Sequence, residues 1–424
     1  MTEAGGKGGY LLAPYRVLEL AGELTFMCGR LLGDLGADVV VVEPPEGCPA
    51  RRRGPYYRDE RDPEKSLFWL AFNTSKKGIT LDVSKVEGQE LLRELARSAD
   101  VFIESCRPGS LAEIGLGFET LSRLNPGLIY TSITPFGQRG PHAQWKGTDL
   151  TIQARCGFLY LTGNKDLPPV RISIPMIATK SGIEAATAAL FALFWRNQTG
   201  DGQRIDVSAQ AVGIWQLMSA TAYPSLHGTN KTRDGERYSA GFGNARALFP
   251  CADGYITFFL ASGRVGAPSL TAMANWMESE GKLPESMRAK DWDNWDVNQA
   301  ARNEGERDQV AILNEAIIAF LATKSKKEIF ERALRDKILA APVNNVEDLV
   351  THPQLIARKF FKDLPHNSID GDIKFPGHWA IMNSCNAGPR FRAPAKGEHN
   401  EEIYCERLGH SKADLHRLRE RGVV

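Results

Sequence analysis

The feature that most constrains this chain is a double change of hydrophobic period near its start. Residues 15–20, Tyr-Arg-Val-Leu-Glu-Leu, alternate, whereas 25–35 carry apolar residues at helical spacing. Gly36 stops that pattern, and 39–42 is an unbroken run of valines. A run without a polar face suits a strand covered on both sides, which points to a parallel sheet between helical layers. Strand, helix and strand in this order make a βαβ unit.

The pattern continues along the chain. Strands are expected at 79–83, 99–103, 128–133 and 203–207, and helices at 86–98 and 182–196. The fold class read from this is α/β, with a doubly wound parallel sheet in a large domain over residues 1–225. A smaller α+β domain is expected over 245–340, with a strand at 249–259 and helices at 267–280, 306–323 and 326–340. The polar stretch 278–308, with Trp292, Trp295 and nearby Trp276, reads as surface. Residues 341–424 are expected to return to the large domain and to close with a charged helix at 401–421.

The 424 residues suit two or three domains. The formal net charge is +1, so overall charge argues for neither nucleic acid nor an acidic membrane as partner. The longest apolar segment, 182–195, carries Glu184 and reads as a buried helix rather than a span. Seven cysteines are an odd number and form no CxxC pair, and the Gly-rich N-terminus has no apolar signal region. The expectation is a reduced, cytoplasmic protein. Scattered histidines without HxH or HExxH give no reason to expect a metal.

Local motifs have plain readings beside functional ones. Gly241-Phe-Gly243 lacks the third glycine of a dinucleotide fingerprint and reads as a loop. Arg51-Arg-Arg53 reads as a solvated turn or as a phosphate contact at the carboxyl end of the sheet, and Lys76-Lys77 has the same two readings. Cys106 has no nearby histidine to activate it and reads as an inert thiol. His142 reads as a loop surface residue. Asp149 precedes a helical pattern and reads as an N-cap, with a ligand contact as its alternative.

Taken together, these segments resemble the family III CoA-transferases. The resemblance rests on Val17-Leu-Glu-Leu20, Gly33-Asp-Leu-Gly-Ala-Asp-Val39, Asn73-Thr-Ser-Lys-Lys77 with Thr80-Leu-Asp82, and Arg107-Pro-Gly109 with Gly115-Leu-Gly117. Further along it rests on Phe136-Gly-Gln-Arg-Gly-Pro141, Thr199-Gly-Asp-Gly-Gln203 with Asp206-Val-Ser208, Ala252-Asp-Gly254, Ala341-Pro-Val-Asn344, His352-Pro-Gln-Leu355 and Gly397-Glu-His399. The resemblance implies interlocked dimers, with the chain threading its partner's ring. It implies coenzyme A or an acyl-CoA as substrate, with no permanently bound cofactor, and a CoA site at Leu81, Arg107 and Lys146. It also implies covalent catalysis by an aspartate, which takes up CoA as an aspartyl thioester and passes it to the acceptor acid.

The chain departs from the family where that aspartate belongs. The family segment P-x-A-D-x-x-x-G reads here Pro175-Met-Ile-Ala-Thr-Lys-Ser-Gly182, with Ala178 in the aspartate's place. The G-H-D of the related racemases reads Gly147-Thr-Asp149, so a change to that reaction does not account for the loss. Pro44 and Glu113 stand where basic residues face CoA in the family, and the glycine loop before Ala252 is shortened to 241–246. The expectation is a subunit without its own nucleophile, partnered by an aspartate-bearing paralogue in a heteromer. This is similar to the branch of the family that transfers CoA from succinyl-CoA to (R)-benzylsuccinate in anaerobic toluene degradation. The alternatives are a self-sufficient transferase using Glu184 or Asp149, and a non-enzymatic acyl-CoA binder.

Overall fold

The computed structural model describes residues 9–238, 245–260, 263–301, 303–366, 369 and 373–424. The chain divides into two compact units. One comprises 1–159, 171–230 and 353–424, the other 160–170 and 231–352.

The first unit is built on six parallel strands: β1 (Arg16–Leu20), β2 (Asp38–Glu43), β3 (Lys76–Thr80), β4 (Val101–Glu104), β5 (Ile129–Thr134) and β6 (Gln203–Ser208). Their order is β3-β2-β1-β4-β5-β6, all parallel, so the winding reverses between β1 and β4. Among the helices of this unit are α1 (Phe26–Asp34), α2 (Leu67–Phe72), α3 (Val86–Arg97), α4 (Ser110–Glu113), α5 (Phe118–Leu124), α6 (Asp149–Arg155) and α7 (Met176–Thr199). The valines explain the layering. Val39 faces a core with Leu32 of α1 and Ala185 and Ala189 of α7, whereas Val40 and Val42 face Leu92 of α3 and Leu121 of α5. Alternate residues of one strand thus fill two separate cores.

Helix α7 is longer than its sequence signal, beginning at Met176 rather than at 182. By length and mean hydropathy it passes the threshold for a membrane span, which the reading from residue 182 did not reach. Half of its apolar window is buried within the fold, where Ala185, Ala186, Ala189 and Ala192 lie on the sheet.

The second unit has an antiparallel sheet of Leu248–Cys251, Gly254–Phe258 and Ala340–Pro342. The single strand expected at 249–259 is therefore two strands of a hairpin. Cys251 pairs with Gly254, and Gly254 takes φ 142°, a conformation open to glycine. The surface reading of 278–308 is overturned as well. Trp276, Trp292 and Trp295 are each at most 8% exposed and share a core with Phe249, Phe258 and Phe320. The charged residues among them made the stretch look solvated, but large indoles favour burial and here pack into the core of the unit. The helix expected at 401–421 is likewise broken. A π-helical turn, Glu401–Arg407, and a helix, Lys412–Glu420, are separated by Gly409 at φ 83°.

Candidate active site

The carboxyl ends of β1, β4 and β5 and the start of α7 meet where doubly wound folds place ligands. Ala178 is the third residue of α7, after Pro175, whose side chain gives the helix no cap. Its side chain is 2% exposed. Its N–H, one of the donors that a helix start leaves without an internal partner, donates to Asp149 Oδ1 at 2.9 Å. The other oxygen of Asp149 accepts from Gln153 Nε2 at 2.5 Å. Asp149 is thus not the cap of its own helix. Thr148 caps α6 in a reciprocal pair with Thr151, and Asp149 spans from α6 to the exposed donors of α7. A carboxylate there is favoured by the helix dipole as well as by the hydrogen bond.

The close approach behind this site depends on Gly182. A Cβ there would lie 2.7 Å from Met27 Cβ and 2.9 Å from the Cys28 backbone nitrogen, so the missing side chain lets α7 lie against α1. Thr179 donates to the Pro175 carbonyl at 2.8 Å. Glu184 lies six residues beyond Ala178, which turns it about 240° around the helix and about 9 Å along it. The two therefore do not share a face.

The three residues matched to a CoA site are not gathered together. Leu81, just after β3, is 2% exposed and belongs to the core with Leu92 and Phe102. Arg107 follows β4, which is separated from β3 by two intervening strands in the sheet order, and is exposed. It is held by Glu113 at 3.0 Å and by Gln144 Oε1 at 3.0 Å. Lys146 is exposed two residues beyond Gln144. Arg107 lines a cleft of about 350 Å³ with Glu104, Phe118, Tyr130, Gln138 and Arg204, which includes neither Leu81 nor Lys146. Burial pushes the Glu104 carboxyl above its ordinary range, against the opposing hydrogen bond from the Cys106 N–H at 2.6 Å. Burial, reinforced by Glu104, pushes the Cys106 thiol up to about 12, which leaves it protonated and unreactive at neutral pH. His142 is half-buried, its ring tilted against Trp145 with centres 3.9 Å apart and Nδ1 3.2 Å from Arg155.

In the basic clusters, Arg51, Arg53, Lys76 and Lys77 are paired within the fold, whereas Arg52 is exposed. Arg51 is 1% exposed and is neither a solvated turn nor a free phosphate contact. It meets both oxygens of Glu43 at 2.7 Å, reaches Glu64 and the Pro394 carbonyl, and lies 3.9 Å over Trp69. Lys77 pairs with Asp38 and Glu402. Lys76 is fully buried, 2.7 Å from the equally buried Glu19. Burial pushes Glu19 up and Lys76 down, toward their neutral forms, while their mutual attraction and the bonds from Thr25 and to Asn73 and the Phe26 carbonyl oppose it. This pair went unrecognised in the sequence. The available signal was a charged residue inside each of two strand-like motifs, Val17-Leu-Glu-Leu20 and Asn73-Thr-Ser-Lys-Lys77. The shortened loop at 241–246, like the Gly241-Phe-Gly243 motif, lies largely outside the described residues.

Comparison with known proteins places this architecture. Residues 12–400 match the model of CoA-transferase family III. The chain is 35% identical over 410 residues to the succinyl-CoA:(R)-benzylsuccinate CoA-transferase subunit BbsE of Thauera aromatica, covering 97% of each chain. It is 32% identical over 413 residues to the succinyl-CoA–D-citramalate CoA-transferase of Chloroflexus aurantiacus, covering 96% of this chain and 97% of that one. A crystal structure of a CAIB/BAIF family protein from Brucella suis superposes with a TM-score of 0.78 at 27% identity, over 94% of this chain and 99% of that one. The strand order, the helix packing and these matches agree, and the chain belongs to CoA-transferase family III.

Proposed function

We propose that this chain is the non-nucleophilic subunit of a heteromeric CoA-transferase, the catalytic aspartate being carried by a paralogous chain interlocked with it. The observation that carries this reading is the start of α7. Ala178 offers no carboxylate there, and its free N–H is already taken by Asp149. In the reaction so read, the partner's aspartate attacks the acyl-CoA carbonyl and expels the CoA thiolate. The thiolate then attacks the resulting anhydride, releasing the donor acid and leaving CoA as an aspartyl thioester, which the acceptor carboxylate takes over by the reverse sequence. Succinyl-CoA is the donor and (R)-benzylsuccinate the acceptor in this reading, by analogy with the relative at 35% identity. The cytoplasm is the place of the reaction, in line with seven unpaired thiols. Arg107 and Lys146 are the proposed CoA contacts of this subunit, whereas Leu81, buried in the core after β3, offers CoA no surface. They bind CoA weakly, because Glu113 already neutralises Arg107.

A second reading has one observation in its favour. Asp149 places a carboxylate at the helix start itself, where it could act as the nucleophile of a self-sufficient enzyme. One experiment separates the two. The chain is co-expressed with an aspartate-bearing paralogue, and with the same paralogue whose aspartate is changed to Ala. The heteromer reading expects turnover with the first and none with the second, the complex remaining intact in both. Turnover that survives in the second preparation and disappears in Asp149→Asn would establish the other reading. A complex inactive in every combination, yet binding acyl-CoA, would leave a binding protein.

A further inference from the structure

The C-terminal segment of the first unit encloses a second cleft, of about 320 Å³, which has no part in the site above. It is lined by Arg358, Lys359, Lys362, His378, Met382 and Asn386, among others. No carboxylate lines it, and no ion pair to Arg358, Lys359 or Lys362 is found among the described residues. Asp363, next to Lys362 on the strand Phe361–Leu364, is turned to the opposite face by the alternation of the strand. Asp34 on α1 is engaged by Ser75 at 2.6 Å and by Arg30 at 3.5 Å, and the His378 ring also acts on its carboxylate.

Two further observations concern residues that line this cleft. Lys359 ends a short helix, Pro353–Ala357, in left-handed backbone at φ 50°, a conformation that costs a lysine but not a glycine. The cation is thus held where a glycine would relieve strain. His378 stacks on Trp379 with ring centres 4.1 Å apart, and its Nδ1 lies 3.1 Å from the Ala380 carbonyl and 3.2 Å from the Ala380 N–H. Its other nitrogen, Nε2, is buried and has no hydrogen-bond partner among the described residues. Three like charges in one cleft repel each other, and a buried ring nitrogen without a partner carries a desolvation cost. A polyvalent anion that accepts hydrogen bonds relieves both.

We propose that this cleft binds a phosphate group, with Lys359, Lys362 and Arg358 supplying charge and His378 Nε2 a directed donor. A single carboxylate would leave most of the positive charge uncompensated, whereas a diphosphate matches it. The phosphate could be inorganic or belong to a nucleotide whose base covers Trp379, itself 62% exposed.

The test is calorimetric titration of the full chain, in complex with its partner where it needs one, at low ionic strength. One arm uses pyrophosphate, the other adenosine 3′,5′-bisphosphate. Binding is expected with a Kd on the order of 0.1–1 mM. Lys359→Gly should keep or raise the melting temperature while weakening binding about fivefold, and adding Lys362→Ala should bring the loss to about twentyfold. Lys327→Ala, in the other unit, should change nothing. Equal affinity for both ligands would make the phosphate alone the determinant, whereas tighter nucleotide binding that Trp379→Ala removes would identify a nucleotide. No heat with either ligand up to about 10 mM, or unchanged binding in the double variant, overturns the proposal.

Discussion

Glu19 and Lys76 show what a single buried pair demands of its surroundings. Their charged atoms are fully out of water, and Gly29 of α1 leaves the room they occupy. A Cβ on Gly29 would lie within bonding distance of the Glu19 carboxylate. Removing one partner leaves the other charge uncompensated, so Lys76→Met should cost about 3–5 kcal/mol of unfolding free energy. The double variant Glu19→Gln, Lys76→Met should recover much of that loss. Urea unfolding of the three proteins measures this, and a loss below about 1 kcal/mol for Lys76→Met would show that the pair is replaceable. Asp38 behaves differently because it is partly open to water. Burial pushes its carboxyl up, but Arg407 at 2.5 Å and Lys77 at 3.2 Å outweigh that and hold it below the ordinary carboxylate range. A depressed folded pKa contributes stability that is complete above the unfolded value, near 3.9, and is lost as pH falls through the folded value. Screening at this exposure keeps the contribution below about 1 kcal/mol. Thermal melts between pH 6 and 3 should therefore show a smaller acid loss in Arg407→Ala than in the parent chain, and parallel curves would reject the assignment.

At the scale of elements, the contact of α1 with α7 sets the site. Glycine within a helix ordinarily costs about 1 kcal/mol relative to alanine, so on propensity alone Gly182→Ala would stabilise α7. The structure predicts the opposite sign. The new methyl would meet Met27 and the Cys28 backbone at under 3 Å, and backbone cannot give way as a flexible side chain does. Overpacking of this kind costs about 1–3 kcal/mol, so the net change should be destabilising. A raised melting temperature in Gly182→Ala would show that α7 can lift away without penalty. The glycine was visible in the sequence as the last residue of the segment that holds Ala178. Its reason was not, because the partner helix begins some 150 residues earlier in the chain.

For the molecule as a whole, the outer face of α7 presents Phe191, Phe194 and Trp195 at helical spacing, between 55% and 71% exposed. Trp215 and Met218, 72% and 75% exposed, extend the apolar surface of the same unit. Side chains of this size grouped on one face mark an association surface, and in the heteromer reading the paralogous chain covers them. Phe194→Asp should leave the circular dichroism and the fold of the chain unchanged, since the side chain touches mainly solvent. Co-expressed with the paralogue, it should fail to assemble the interlocked complex, which size-exclusion chromatography with light scattering reads as a mass below that of the heteromer. A variant that still elutes with its partner at the parent mass would move the interface elsewhere.

Local order was the part the sequence determined unaided. The valine run at 39–42, Gly36 and the alternating segments gave the parallel α/β sheet, because strand and helix periods are properties of neighbouring residues. The motifs gave the family for the same reason, since each is short and their order is linear. The tertiary structure alone decided what the charged residues do. Arg51, Lys76 and Asp149 all read as candidates for a ligand, and each turned out to be engaged by a distant partner: Arg51 by the Pro394 carbonyl as well as Glu43, Lys76 by Glu19, Asp149 by the N–H of Ala178. Trp292 and Trp295 were hidden in the same way by the polar residues around them. Burial and pairing depend on which segments the fold brings together, and no periodicity along the chain records that.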